Sequence, residues 1–200
     1  MHDRVRHQVG AVTLEVARVA LLDEPAQAIL LSSNNNLRGN PKRPILPERN
    51  WATEIQEAAG KAYRDECARF RMATGDRGPA QGSAVAVAGA RLTTGDRYRL
   101  VIHAITVGYD QANKRIPTLP KIVHDAVFAG LDEAKRHDVS SVSTYLMATR
   151  PGYATESKQV MAQTLCDGLV EHAHGAGSLR RIVICEADAE QFEIAQVALE

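Results

Sequence analysis

The chain has 200 residues, of which 44% are hydrophobic and 24% charged, and this near-average composition excludes a disordered, collagen-like or coiled-coil protein. Its 24 basic and 24 acidic residues cancel to a formal net charge of zero, which argues against broad electrostatic binding to nucleic acid or to an anionic membrane. The three cysteines are scattered and odd in number, which argues against a disulfide framework. The polar N-terminus predicts no secretory signal, and the absence of an apolar run of about 18 residues predicts no membrane span. We therefore expect one domain over residues 1–200, located in the cytoplasm, with no membrane partner.

The predicted strands and helices follow from hydrophobic periodicity and from the positions of proline and glycine. Alternating apolar residues predict a strand at 12–16, and apolar residues at helical spacing predict a helix from about Thr118 to His137. Three prolines between Asn34 and Asn50 forbid a helix or a central strand there, which leaves a long loop of a kind that is commonly functional. In chain order the predicted elements are a strand at 12–16, a buried strand at 26–33, the long loop, a helix at 50–72 capped by Asn50, strands at 84–89 and 98–108, a helix at 118–137, a strand at 141–147, a helix around 160–169, a strand at 179–187 and a last helix starting at Asp188.

The alternation of strands and helices decides the predicted fold class. A strand is followed by a helix three times over, a pattern typical of α/β proteins in which helices cover both faces of a sheet. The sequence shows no internal repeat, no low-complexity segment and no dividing linker. It predicts a three-layer α/β/α fold with a mixed central sheet.

Several motifs of common nucleotide and catalytic sites do not occur in the sequence. There is no GxxxxGK[ST] phosphate loop and no GxSxG nucleophile motif. The glycine turn at 175–178 precedes a strand, so a helix-ending turn is favoured over a dinucleotide-binding turn. His172, His174 and Cys166 could be interpreted as a metal site, but exposed histidines at a helix end are the favoured interpretation. We expect no metal and no cofactor.

Two polar segments lie where ligands bind in open α/β sheets, after a strand and before a helix. The first, residues 32–40, follows the buried strand and precedes the helix at 50–72, and the second, residues 148–155, follows the strand at 141–147. Each segment leads into a helix whose first N–H groups have no partner within the helix itself. A pyrophosphate between the two segments would meet backbone donors without requiring net positive charge.

Five segments, taken in order, carry a resemblance to a known family. They are AQAILLSSNNNLRG, NWATEIQEAAG, GPAQGSAVAVAGARLTTGDRYRLVIHAITVGYD, VSTYLMATRPGYA and GSLRRIVICEADAEQFEIAQVAL. They resemble, respectively, the asparagine loop, first helix, long strand pair, second phosphate-embracing loop and last strand and helix of the macro domain, an ADP-ribose-binding α/β module. The resemblance covers nearly the whole chain. It implies binding of ADP-ribose or a related nucleotide diphosphate, with ADP-ribosylated protein as a further partner.

The resemblance also assigns ligand contacts to residues of both loops. Asn34 matches the asparagine that in many members faces the distal ribose, and Ala148 and Thr149 stand where a phosphate-binding serine-threonine pair is usual. Gly152 and Tyr153 match a glycine-aromatic pair that lets the backbone approach and covers the ribose. The implied ligand-binding residues are Asn34, Asn36, Leu37, Gly39, Ala148, Thr149, Arg150, Gly152 and Tyr153.

The chain departs from the family pattern at three positions. Ala52 stands roughly where hydrolytic members have an aspartate that helps to activate water, which argues against that mode of de-ADP-ribosylation. Ala20 occupies the position of an aspartate that usually selects the adenine amino group, although Asp23 is close enough to replace it. Arg150 replaces a glycine of the second loop, and it could either add a bidentate phosphate contact or block the groove.

Two further features allow more than one interpretation. His103 matches a histidine within a family strand, and a core histidine with satisfied hydrogen bonds is favoured. The segment 38–49 carries four basic residues and one acidic residue, so it is either a solvated surface loop or a lid over an anionic ligand. Glu48 and Glu54 flank the missing acid, and either could act as a replacement base.

Three functional hypotheses follow. The first is a module that binds ADP-ribose or a related nucleotide diphosphate. The second is a hydrolase that removes ADP-ribose or processes ADP-ribose 1''-phosphate, with Asn34 as a catalytic residue that positions water. The third is a degenerate macro fold that acts as a scaffold for protein or RNA, which the substitutions at Ala52, Ala20 and Arg150 favour.

Overall fold

A computed structural model describes residues 3–37, 51–75, 78–110, 112, 114–149, 154–175 and 177–200. The strands are β1 (Arg4–Val9), β2 (Val12–Ala17), β3 (Ala28–Asn34), β4 (Ala84–Ala88), β5 (Leu100–Tyr109), β6 (Arg115–Ile116), β7 (Ser141–Thr144) and β8 (Arg181–Cys185). The helices are α1 (Trp51–Ala73), α2 (Pro120–Arg136), α3 (Lys158–Ala173) and α4 (Ala189–Leu199), with single 3-10 turns at Leu21–Asp23 and Ala90–Leu92.

The sheet is mixed, with a parallel centre and antiparallel edges. Its strand order is β1-β2-β8-β7-β3-β5-β4, and β6 pairs with the end of β5. The pairs from β2 through β8, β7 and β3 to β5 are parallel, whereas β1–β2 and β4–β5 are antiparallel. The carboxyl ends of β2, β8, β7, β3 and β5 therefore share one edge of the sheet, which we call the carboxyl edge.

Helices cover both faces of this sheet. On one face α1 packs through Ile55, Ala59, Tyr63 and Cys67. On the other face α2, α3 and α4 bury a larger apolar core that includes Leu30 and Ile102 of the sheet. The predicted three-layer α/β/α class with a mixed sheet is confirmed.

Element positions were largely predictable, but β6 was not predicted, the strand predicted at 141–147 ends at Thr144, and three further points differ. The polar N-terminus contributes a further strand, β1, which pairs with β2 across a tight turn at Gly10. Helix α1 is broken at Gly60, whose φ of 80° is a conformation that glycine adopts without steric cost. A β-carbon at this position would also lie 2.9 Å from the Arg91 side chain. His172, predicted to be exposed, is buried and its Nε2 lies 3.1 Å from Asp132 on α2. The predicted cap of α4 is confirmed, since Asp188 accepts a hydrogen bond from the Gln191 amide.

A buried ionic network holds the N-terminal strands against the sheet. Arg4 and Arg181 both bind the carboxylates of Glu15 and Glu24, with Arg4 lying 2.5 Å from Glu15 and 2.8 Å from Glu24. Burial alone would raise the pKa of each carboxyl group, but hydrogen bonds from the two guanidinium groups outweigh it and lower both values. The network joins β1, β2 and β8 to the segment that leads into β3.

Other sequence expectations concern metals, membranes and cysteines. None of the helices in the described ranges combines the length and apolar character that a membrane span requires. Within those ranges no cluster of three or more His, Cys, Asp or Glu side chains is arranged to hold a metal ion. All three cysteines are buried, as predicted.

Candidate functional site

The candidate site lies between β3 and β7, which are neighbours in the sheet. After β3 the chain leads to α1 on one face, whereas after β7 it leads to α3 on the opposite face. Adjacent strands whose connections diverge in this way form a topological switch point, and open α/β sheets bind ligands in the crevice outside it. The two predicted loops therefore start side by side at the carboxyl edge. We call them the first loop, which runs from Asn34 to the start of α1, and the second loop, which runs from Tyr145 to the start of α3.

A β-bulge turns the end of β3 into the first loop. The register between β3 and β5 shifts after Ser33, so that Asn34 pairs with Val107 and Thr106 is skipped. The skipped residue is held by three side chains: Ser32 Oγ contacts its hydroxyl at 2.7 Å, while Gln81 Nε2 and Thr118 Oγ1 donate to its carbonyl at 2.9 and 2.8 Å. Bulges re-aim side chains beside functional sites. This one lies on β5 directly beside Asn34, and it was not predicted from the sequence.

The first loop then tightens into an Asx turn. The Asn36 amide donates to Asn34 Oδ1 at 3.1 Å, and the Leu37 amide donates to the Asn34 carbonyl at 3.0 Å. Leu37 has a φ of 51° and is buried in the core beneath α1, where Gln56 donates to its carbonyl at 3.0 Å. Its side chain thus anchors the loop. Whether Asn34, Asn36 and Leu37 contact a ligand stays a prediction.

A series of buried polar side chains lies in the core next to the start of the first loop. His103 of β5 contacts Ser33 Oγ through Nδ1 at 2.6 Å and the Tyr63 hydroxyl through Nε2 at 2.7 Å, with Cys67 Sγ 3.6 Å from the same Nε2. Burial lowers the pKa of His103 to about 4 and raises the pKa of Cys67 to about 11, so both groups are neutral near pH 7. The interpretation of His103 as a satisfied core histidine is confirmed.

Near its start the second loop has two buried residues, Leu146 and Met147, which are followed by a residue with a positive φ. The Leu146 amide donates to Glu186 Oε1 at 2.6 Å, which ties the loop to the end of β8, and Met147 is fully buried. Ala148 follows with a φ of 58°, a conformation rarely adopted by non-glycine residues and found mostly where function requires it. Thr149 is half-buried. Glu186 was not among the predicted site residues, although its place directly after a parallel strand could have suggested it.

An aromatic pair joins the flanks of the two loops. The rings of Trp51, the first residue of α1, and Tyr145, the first residue of the second loop, lie 6.4 Å apart at an angle of 52°. Both side chains pack against the core under α1 and remain partly exposed. This contact shows that the helix after the first loop and the start of the second loop meet at the carboxyl edge.

The second loop returns to the sheet beside α2. Ala154 forms a parallel bridge with Thr118, and the Thr155 amide donates to the Thr118 carbonyl at 3.2 Å. Ser157 then caps α3 by accepting a hydrogen bond from the Val160 amide at 3.3 Å. One of the α3 N–H groups that the sequence offered to a ligand is therefore used by the helix cap.

Two of the three positions at which the chain departs from the resembled pattern, Ala52 and Ala20, lie among the described residues. Ala52 is in the first turn of α1 and packs against the core, so no carboxylate stands at that position. Glu54 follows two residues later in the same turn. Ala20 precedes the 3-10 turn that ends at the exposed Asp23. Other predicted positions, namely Gly39, Glu48, Arg150, Gly152, Tyr153 and the basic segment 38–49, lie outside the described residues.

Comparison with known proteins gives a clear result for structure only. No family model and no curated protein matches the sequence. A macrodomain from Oceanobacillus iheyensis, solved with ADP, superposes with a TM-score of 0.77 at 18% identity, covering 100% of this chain and 96% of the other. A Trypanosoma brucei macrodomain in complex with ADP-ribose superposes with a TM-score of 0.70 at 17% identity, covering 94% and 69%.

The chain has the macrodomain fold. The resemblance seen in the sequence is thereby confirmed at the level of structure, and the segments that carry it fall on the corresponding kinds of element: a strand entering the asparagine loop, a helix ending at Gly60 and a strand containing His103. With identities of only 17–18%, the macrodomain fold itself does not fix what this crevice binds.

Proposed function

We propose that the chain binds ADP-ribose or a related nucleoside diphosphate in the crevice between the first and second loops. The observation that carries this proposal is the switch point between β3 and β7, which starts two polar loops side by side at the carboxyl edge. Proteins of the same fold that have been solved with ADP and with ADP-ribose support the ligand class.

The expected contacts follow from the charge balance and from the loop geometry. Because the chain has no net charge, the diphosphate has to be held by local donors, namely backbone amides of both loops and the Thr149 hydroxyl. We expect Asn34, which lies beside the register shift at the end of β3, to contact the distal ribose. We also propose that the protein uses this crevice to recognise ADP-ribosylated proteins.

Isothermal titration calorimetry with ADP-ribose, ADP, AMP and the guanine counterparts tests the proposal. We expect saturable binding of ADP-ribose that is tighter than binding of AMP, since only the diphosphate reaches donors on both loops. Comparison of adenine and guanine ligands shows whether Asp23 replaces the acid missing at Ala20. No heat at millimolar ADP-ribose would contradict the proposal and favour the scaffold hypothesis.

A hydrolase is the second candidate function, and the Asx turn at Asn34 allows a sharp test of it. Asn34→Ala removes both the side-chain amide and the acceptor that the Asn36 amide uses. Asn34→Ser removes the amide but keeps an oxygen that can accept the same bond. If Asn34 positions the attacking water, release of ADP-ribose from a mono-ADP-ribosylated protein falls about 100-fold in both variants.

The affinity of the two Asn34 variants separates catalysis from loop structure. We expect Asn34→Ser to bind ADP-ribose about as well as the wild type, whereas Asn34→Ala binds more weakly because the turn is lost. Turnover that stays at the wild-type level in Asn34→Ser would show that the Asn34 amide has no catalytic role, whereas a wild type that releases no ADP-ribose would be a binding module.

A further inference from the structure

Thr118 is hydrogen-bonded to the second loop and to Thr106, the β5 residue beside the start of the first loop, although it belongs to neither loop. It lies between β6 and α2, outside the segments that the resemblance assigns to the ligand, and it is fully buried. Its side chain and its main chain form hydrogen bonds in different directions. The side chain reaches toward the first loop, and the main chain pairs with the end of the second.

On the side of the first loop, Thr118 fixes the β-bulge. Its Oγ1 donates to the carbonyl of Thr106 at 2.8 Å, and Thr106 is the residue that the pairing of β3 with β5 skips. Thr106 is also fully buried, so water cannot replace this hydrogen bond in the folded state. The position of Thr118 is thereby linked to the direction in which Asn34 leaves the sheet.

On the side of the second loop, Thr118 fixes the point at which that loop rejoins the fold. Its carbonyl accepts from the Thr155 amide at 3.2 Å, and it forms a parallel bridge with Ala154. Two residues later Ser157 caps α3. One buried residue is thus bonded to the second loop and to the β5 residue beside the first loop, and α2 starts directly after it.

We propose that Thr118 is a positioning residue that sets the separation of the two loops and thereby the affinity for ligands that span both. This proposal rests on the proposed function for its ligand, but the mechanical coupling can be measured without any ligand. ADP-ribose, with its diphosphate and second ribose, contacts both loops, whereas AMP ends at its first phosphate. Loss of the coupling should therefore weaken binding of ADP-ribose much more than binding of AMP.

Thr118→Val tests the coupling because it keeps the shape of the side chain and removes only the hydroxyl. We expect it to weaken ADP-ribose binding about tenfold in calorimetry, a typical size for coupling between sites, and to change AMP binding less than twofold. Thr118→Ser restores the hydroxyl and should restore the ADP-ribose affinity. Equal losses for both ligands that scale with a lower melting temperature would mean a merely structural role and would overturn the proposal.

Amide hydrogen exchange without ligand gives the second measurement. Thr118→Val should speed exchange at Asn35, whose amide donates to Val107 beside the bulge, and at Thr155 in the second loop. Gln81→Met is the matched control, because Gln81 donates to the same Thr106 carbonyl at 2.9 Å, and we expect it to affect Asn35 and leave Thr155 unchanged.

Hydrogen exchange distinguishes a failure of the proposed function from a failure of the proposed coupling through Thr118. If the wild type binds no ADP-ribose but Thr118→Val speeds exchange in both loops, the coupling stands and the proposed function fails. If Thr118→Val leaves exchange at Asn35 or at Thr155 at the wild-type rate, Thr118 does not couple the loops and the proposal is overturned.

Discussion

Gly78→Ala is expected to abolish ADP-ribose binding, with an affinity loss of about 100-fold or more. A β-carbon at Gly78 would lie 1.9 Å from the carbonyl oxygen of Asn35, which is backbone of the first loop and cannot rotate away as a side chain would. Either the Gly78 backbone or the first loop must therefore shift, and we expect the first loop to move and its amides to lose their alignment with the ligand. Calorimetry with ADP-ribose measures the loss.

Gly75→Ala provides the matched control for this variant. Both glycines have positive φ values, 63° at Gly78 and 77° at Gly75, so alanine costs about 1–2 kcal/mol of backbone strain at either position. At Gly75, however, nothing lies within 4 Å of the added carbon. We expect Gly75→Ala to lower the melting temperature and to retain ADP-ribose affinity. Equal affinities for the two variants would show that the first loop does not form the site.

His103 should make the stability of the protein depend on pH between about pH 6.5 and 4. Its pKa is about 4 in the folded protein because of burial, against an ordinary value of 6.5, so the unfolded state binds the proton more tightly. Stability is therefore complete above about pH 6.5 and is lost as the pH falls toward 4. The difference corresponds to about 3 kcal/mol. Urea unfolding at a series of pH values between 7 and 4 measures this slope.

Two variants isolate the contribution of His103. His103→Gln should remove most of the slope between pH 6.5 and 4, while losing about 2 kcal/mol at pH 7 because the bonds to Ser33 and Tyr63 are disturbed. Tyr63→Phe should lower stability at pH 7 but keep the slope, since the histidine stays buried. A His103→Gln protein with the wild-type slope would mean that other groups carry the pH dependence, such as Glu15 and Glu24 at lower pH.

The layers of the fold were predictable because the signals that specify them are local. The helical spacing of apolar residues in α2 and the cap at Asp188 each act within a few residues, and the structure agrees with both. The two loops could be located by the same reasoning, because they follow strands and precede helices. Strand β1 was missed because an edge strand with charged side chains lacks a clear apolar pattern.

The details of the candidate site could not be predicted because they depend on contacts between distant segments. The bulge at Thr106 exists only once β3 and β5 are in register, and Gln81 and Thr118 become its partners only when the sheet has formed. Glu186 supports the second loop across 40 residues of sequence. Such tertiary hydrogen bonds leave no periodic signal in the chain, so residues of this kind emerge only from coordinates.

The position of the diphosphate can be measured through the backbone amide chemical shifts of the labelled protein during titration with ADP-ribose. If the diphosphate lies between the two loops, saturable shifts will appear at Asn36 and Leu37 in the first loop and at Ala148 and Thr149 in the second. Saturable binding that leaves the amides of either loop unmoved would contradict it.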